Sequence, residues 1–436
     1  MFKKSKLRRS ALIVTVPLLT ATLLLTGCGR SGGTAPAGSA SVSVDDSPAT
    51  GTVTVWAQAG EGGPLIDFVK GFEKENPDVK VKVTSLPANT AFDAKITAAV
   101  AAGTVPDVIN LYSQTQSTLF RTGGIATVPD GLVDSATFFP SSYEPTVDKG
   151  AAYAVPWYTY SQVLYYRADL AKKAGVEPPK TWQDMKTFAK GMQDAGAAQY
   201  GLGLGISWDQ YSAQELNNYI LGNGGNLLSA DGKTWTINDP KNVEALDFWG
   251  SLFADGYASP DAPQFLDVVP FLTSGKIASY NNGPWLMSWL DGANGKGWAE
   301  EHIGAVLPPA GPAGQSAGVG SGTLAVMKAA KNPTAAWKLV RWMSKPETQL
   351  AWYKASGNLP AVQSAWDDPS IADNSLLDAV KEGIKIGHPV PAVPTWGQVG
   401  GIIGQQMERV ARGSATAKEA LDEAQSQAAA LGTGTK

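Results

Sequence analysis

The sequence predicts an α/β protein of the doubly wound kind, with room for two domains, behind an export segment. Three observations carry this. From residue 52 onward, apolar strands alternate with amphipathic helices in the order β-α-β-α-β. About 385 residues follow residue 51, against about 100–150 for an ordinary domain. The chain begins with a basic and then apolar stretch that ends at its single cysteine, Cys28.

Residues 52–56, Thr-Val-Thr-Val-Trp, alternate and form the first strand. Pro64 opens a helix whose Leu65, Phe68, Val69 and Phe72 share a face, and Asn76-Pro77 stops it. Val79, Val81 and Val83 make a second alternating strand, and residues 92–102 read as a helix ended by Gly103. Residues 106–111, Pro-Asp-Val-Ile-Asn-Leu, are apolar nearly throughout, as buried parallel strands are. An aromatic extended segment covers 153–166, and a short helix at 170–174 is closed by Gly175. Pro178-Pro179-Lys180-Thr181 leads into a helix with Thr181 as cap and Asp184 at the third helical position. A Gly-rich strand at 202–206, helices at 213–221 and 243–253, and a strand at 276–280 follow. Then come an extended link at 306–309 into a Gly-rich loop, a strand at 324–327 and a helix at 333–343. Another helix starts at Pro346, and 404–431 is largely helical.

Lys3, Lys4, Lys6, Arg8 and Arg9 precede an apolar or small-residue run, 11–26, that is short for a bilayer span of about 20 residues and suits a signal-peptide core. Leu25-Thr26-Gly27-Cys28 resembles the bacterial lipobox, in which the thiol receives a diacylglycerol and the chain is cut before the cysteine. Residues 1–27 are thus expected as a signal peptide. Residues 28–51, rich in Gly, Ser, Ala and Pro, are expected as a lipidated flexible tether. Removing the leader takes five basic and no acidic residues, so the formal charge goes from −4 to −9. An acidic mature chain without clustered Lys and Arg argues against nucleic acid as partner. One cysteine allows no internal disulfide, and the two histidines lack ligand-spaced partners, so neither metal nor cofactor is expected.

Several segments together resemble the extracellular solute-binding proteins of carbohydrate import transporters, the group that includes maltose-binding protein. They are Phe68-Val69-Lys70-Gly71-Phe72-Glu73-Lys74-Glu75-Asn76-Pro77, Gly103-Thr104-Val105-Pro106-Asp107-Val108, Tyr153-Ala154-Val155-Pro156, and Leu164-Tyr165-Tyr166-Arg167-Ala168-Asp169-Leu170. Further along stand Pro179-Lys180-Thr181-Trp182, Gly275-Lys276-Ile277-Ala278, Asn282-Gly283-Pro284-Trp285 and Asn358-Leu359-Pro360. The resemblance implies a periplasmic-binding-protein-like fold: two lobes, each a doubly wound, mostly parallel sheet with helices, joined by hinge crossovers around a ligand cleft. Lobe 1 is expected over 52–157 and 306–343, and lobe 2 over 158–305 and 344–436, with crossings near Pro156, Val306 and Met343. It also implies a carbohydrate ligand and the permease of an ATP-driven (ABC) importer as partner; the lipobox adds an expected membrane attachment through lipid on Cys28, and a monomer is expected.

A sugar site needs aromatic faces for the CH sides of the rings and neutral hydrogen-bond partners for the hydroxyls, on loops at strand ends. Trp56 and Gln58 close the first strand, Trp56 being either platform or core; Asn110 and Tyr112 close the third. Trp157 and Tyr158 stand at the first crossing, and Tyr158 matches a position that contacts sugar in maltose-binding protein, where an acidic residue stands. Trp208 and Asp209 pair a platform with a carboxylate after the Gly-rich strand. The family's Gly-Pro-Trp places Trp285 against a sugar face, next to Asn282 and Gly283. Ser321 lies among backbone donors before a strand, and Trp396 lies in a late loop. Helical Trp249, Trp337 and Trp342 read as core. Other occupants weighed are a peptide or a phosphodiester; the latter calls for Lys or Arg, which these loops lack. Other classes are a surface glycoside hydrolase, needing two facing carboxylates, and an adhesin or scaffold. Gly314-Gln315-Ser316-Ala317-Gly318 matches the nucleophile-elbow string, but the prolines before it and Gly320 after it deny the strand and helix an elbow requires.

Overall fold

A computed structural model describes residues 44–87, 90–113, 116–205, 207–261 and 267–435. The expected signal peptide, Cys28 and most of the expected tether lie outside the described residues.

Two lobes are built on two sheets. The first holds β1 (Gly51–Gln58), β2 (Val79–Leu86), β3 (Val108–Tyr112) and, after a small pair β4 (Val147–Asp148) and β5 (Ala151–Ala152), β6 (Val155–Ser161). The second holds β7 (Val163–Arg167), β8 (Ser279–Asn282) and β9 (Ile303–Val306). β10 (Val319–Val326) and β11 (Leu359–Pro360) return to the first, whose order is β11-β6-β10-β3-β1-β2. β1 pairs parallel with β2, Gly51 opposite Val79, and with β3, Val55 opposite Val108. This is the predicted β-α-β-α-β unit. β10, which arrives from the other lobe, and β11, which follows it within the first lobe, pair antiparallel. β8-β7-β9 is antiparallel too, with a parallel Gly-rich segment alongside at the Tyr200–Ile277 and Gly203–Tyr280 bridges. Glycine is required there: a Cβ on Gly201 would lie 2.2 Å from the Ala189 backbone of the covering helix.

Val53, Val55, Val108, Val326, Trp337 and Val340 fill the first lobe's core. Met185, Phe188, Leu216, Trp249, Ile403 and Leu421 fill the second lobe's core. The capping box at Thr181 and Asp184 forms as the sequence predicts, and Gly175 closes its helix at φ 69°. Trp249, Trp337 and Trp342 are buried.

Three placements differ from expectation. The first crossing is at Gln162, not Pro156, because β6 keeps its ladder with β10 up to Ser161 opposite Val319. The second runs through 307–318, and the third follows β11 rather than Met343. Helix Pro346–Ser356 packs on the first lobe, where Trp352 lies 4.6 Å from Trp157. At the hinge Gln162 N donates to Gly318 O at 2.7 Å, and His388 N to Ala317 O at 2.9 Å, so three segments lie side by side. Lastly, residues 44–51 of the expected tether are docked. Buried Lys338 donates to Asp45 Oδ1 at 2.6 Å and to Ser47 Oγ at 2.8 Å, and Arg341 donates to the Asp45 carbonyl at 2.8 Å. The Lys338 ammonium and Ser47 hold the Asp45 carboxyl down at about 2.

Candidate functional site

Glu61 organises the first lobe's share of the site. The helix Ala59–Phe68 begins directly after β1, with Gln58 as N-cap, so Pro64 lies inside it rather than opening it. Glu61 therefore falls in the first turn and is buried. Tyr112 OH donates to its Oε2 at 2.8 Å and Tyr158 OH to its Oε1 at 2.6 Å. Burial pushes the Glu61 carboxyl up, while the two phenols oppose the rise. Burial, and next the Glu61 charge, push both phenols well above their usual range. Tyr160 shares a face of β6 with Tyr158 by the period of two. Its ring meets that of Trp285 edge-on at 4.9 Å. Tyr211, from the second lobe, lies within electrostatic reach of Tyr160 and Glu61. The lobes also touch where Thr118 Oγ1 donates to Pro394 O at 2.8 Å and Arg121 to Gly434 O.

The other expected residues divide. Asn110 Oδ1 accepts from Gln58 N at 2.8 Å, fixing the β1 end, and its Nδ2 is unpartnered. Ser321 N donates to Ser113 Oγ at 3.0 Å, and the Ser321 hydroxyl is buried and unpartnered. Asn282 Oδ1 accepts from Gly283 N at 2.8 Å while its Nδ2 is unpartnered. A Cβ on Gly283 would lie 2.4 Å from the Trp285 ring, so only glycine lets the indole fold over the backbone there. Trp285 is half-buried, at the start of helix Trp285–Asn294.

Four expected contacts take other roles. Trp157 is 1 % exposed: on β6 it points opposite to Tyr158, into the core against Trp352. Trp396, also 1 % exposed, packs beside Trp235 in the second core. Asp209 is an N-cap, accepting from Tyr211 N at 2.9 Å and from Ser207 Oγ. Trp208 has φ 54°, strained for an aromatic residue, and its ring turns inward over Gly205 toward Trp249, at 6.2 Å. Trp56 is half-buried beneath Lys95, whose Nζ lies 5.2 Å from the ring. Tyr160 and Tyr211 were missed; Tyr158-x-Tyr160 was the available signal for the first. Among the described residues no group of His, Cys, Asp and Glu has the arrangement to hold a metal. Ser316 is followed by β10 and not by a helix, so no nucleophile elbow forms.

Glu215, deep in the second lobe, accepts from Trp249 Nε1 at 2.9 Å and Gly205 N at 3.0 Å, yet burial pushes its carboxyl from 4.5 up to about 7. The folded state thus holds this proton more tightly than the unfolded chain. Its contribution is complete below pH 4.5 and is lost as pH rises through 7, in total about 3 kcal/mol. Melting temperature is expected to fall by about 3–4 °C from this group between pH 4.5 and 8. Glu215→Gln is expected to be less stable at low pH but flatter with pH; an unchanged slope would refute the assignment.

The family is now identifiable. Residues 56–350 match the model of the bacterial extracellular solute-binding protein family, and the chain belongs to that family. Among solved structures, the GacH receptor of Streptomyces glaucescens, determined unliganded and with acarbose, is 28% identical, with a TM-score of 0.80 over 88% of this chain and 98% of its own. An ABC substrate-binding protein of Listeria monocytogenes in complex with cycloalternan is 26% identical, with a TM-score of 0.76 over 87% of this chain and 98% of its own. The sn-glycerol-3-phosphate-binding periplasmic protein UgpB of Escherichia coli is 25% identical over 423 residues, 86% of this chain and 90% of its own. The protein is an extracellular solute-binding protein of ABC importers; the family and these neighbours are binding proteins, not enzymes. No helix among the described residues is long and apolar enough to cross a membrane.

Proposed function

We propose that this protein is a lipid-anchored receptor that captures a carbohydrate between its lobes, closes on it, and delivers it to an import permease. The observation that carries the ligand class is the neutrality of the site. Tyrosines, amides and Trp285 surround it, and several buried polar atoms, Asn110 Nδ2, Asn282 Nδ2, Ser321 Oγ and Trp285 Nε1, have no partner in the protein. Sugar hydroxyls donate and accept, and so match such a set. A phosphate would need a cation. The buried cations among the described residues are spoken for: Arg167 by Asp169 and the carbonyls of Leu272 and Thr273, Lys338 by Asp45 and Ser47. These points favour the acarbose and cycloalternan receptors over the glycerol phosphate receptor as guides to the ligand.

Ligand drives closure to the extent that it binds the closed form better than the open one. A thermal-shift series with glucose, maltose, maltotriose and glycerol 3-phosphate tests the ligand class, since stabilisation follows ln(1 + [L]/Kd). A sugar is expected to raise the melting temperature; a response to glycerol 3-phosphate alone would overturn the reading. The anchor is tested by Cys28→Ser, expected to move the exported protein from the membrane to the soluble fraction.

A further inference from the structure

The lobes also meet through residues that belong neither to the hinge segments nor to the Glu61 site. On the first lobe, the short helix Gln116–Phe120 follows β3. Leu119 and Phe120 are buried, with Phe120 stacked on Tyr153 at 5.3 Å. Gln116 Nε2 donates to Pro145 O at 2.7 Å, and its Oε1 accepts from Thr323 Oγ1 of β10 at 3.1 Å. The helix is thus fixed to its own lobe from below. Thr118 and Arg121, three residues apart, are exposed. Both donate across to backbone carbonyls of the second lobe, Thr118 Oγ1 to Pro394 O at 2.8 Å and Arg121 to Gly434 O. The two acceptors are neighbours: a Cβ on Gly434 would lie 3.1 Å from Pro394 Cβ. Gly434 has φ 71°, a backbone that glycine takes without strain.

The acceptor side is seated on the second lobe. Helix Ala417–Leu431 ends at Gly432, and Gly432 O accepts from buried Trp235 Nε1 at 3.0 Å and from Thr395 Oγ1 at 2.7 Å. Thr433 is 3 % exposed. A segment this late in a chain ordinarily frays unless it is tied down; here it is tied down and holds a carbonyl toward the other lobe. Hinge opening keeps the contacts within each lobe and separates those that join the lobes outside the hinge. The Thr118 and Arg121 bonds therefore belong to the closed form. Each lies at the surface and is worth roughly threefold in the closing equilibrium, enough to bias the lobes and little enough to release. Apparent Kd is the intrinsic Kd divided by the fraction of binding-competent molecules, so these bonds act on affinity through population alone.

We infer that Pro394 and the turn at 432–435 form a latch that Thr118 and Arg121 engage on closure, so that these residues set ligand affinity without touching the ligand. This rests on the reading of a receptor that closes on its cargo, and adds a holding device to it. The test is the double variant Thr118→Val with Arg121→Ala, and alongside it Arg121→Lys, which keeps a charged donor. The radius of gyration is read by X-ray scattering without ligand. Kd and the dissociation rate are measured with maltose and with maltotriose. The unligated parent is expected to be partly closed, and the double variant to have the larger radius. Its affinity is expected to be about three- to tenfold weaker, by the same factor for both sugars and mostly through faster dissociation. Arg121→Lys should fall between the two. A ligand-free radius equal to the parent's would overturn the latch. So would a loss of affinity confined to one sugar, which would place Thr118 or Arg121 against the ligand. A lower melting temperature with parental affinity for both sugars would make the contacts merely structural and overturn it too. If the parent binds neither sugar, the carbohydrate reading fails, and the ligand-free radius still decides the latch.

Discussion

Trp157→Ala is expected to cost about 3–5 kcal/mol of stability, the usual penalty for emptying a buried aromatic site, and about 5 °C in melting temperature for a chain of this size. The indole is 1 % exposed and packs 4.6 Å from Trp352 and 5.5 Å from Tyr158. Trp352 comes from the helix that follows the Pro333–Met343 helix, so the cavity would open where β6 meets Pro346–Ser356, next to the hinge. The conservative partner is Trp157→Phe. Trp157 Nε1 has no acceptor, so losing it removes an unpaired donor and offsets part of the lost packing; a cost of about 1–2 kcal/mol is expected. Urea unfolding of both variants decides the matter. If Trp157→Ala keeps parental stability but loses sugar binding, Trp157 is a platform after all.

What separates the two roles of tryptophan is not visible in composition. Trp157 and Tyr158 stand next to each other at the end of an aromatic segment, and either reads as a ligand contact. β6 fixes the choice by sending alternate side chains to opposite faces, Tyr158 toward Glu61 and Trp157 toward Trp352. The element pattern itself was legible, because β1, β2 and β3 carry their own periodicity and the Thr181 capping box is local. The crossings were not, because which sheet β6 and helix Pro346–Ser356 join depends on partners more than a hundred residues away, Val319 and Trp157 among them. Glu61 stands just beyond Gln58 in the sequence, but its place in a helix is hidden for a local reason: Pro64 reads as a helix start, and the observed helix begins five residues earlier and draws the carboxylate into its first turn. Asp209 was misread in the same way, since an Asp that caps a helix and an Asp that binds hydroxyls look alike until the Tyr211 amide is seen to donate to it.

Trp285→Ala is the converse experiment. The indole is half-buried, held edge-on to Tyr160 at 4.9 Å and folded over Gly283, and its Nε1 is unpartnered. Covering about 100 Å² of ring face with a sugar at about 25 cal/mol/Å² amounts to about 2.5 kcal/mol, or about seventyfold in Kd. Truncation is therefore expected to weaken sugar binding by roughly that factor. Unligated stability should change by about 1 kcal/mol, since no large cavity is left in a core. Trp285→Phe keeps a flat face and should recover part of the affinity, while Gly283→Ala should impair binding by driving a methyl into the ring's place. The two tryptophans then show opposite signatures: Trp157 moves stability, and Trp285 moves affinity. Parental affinity in Trp285→Ala would remove the indole from the site and leave the Glu61 phenols as its recognition surface.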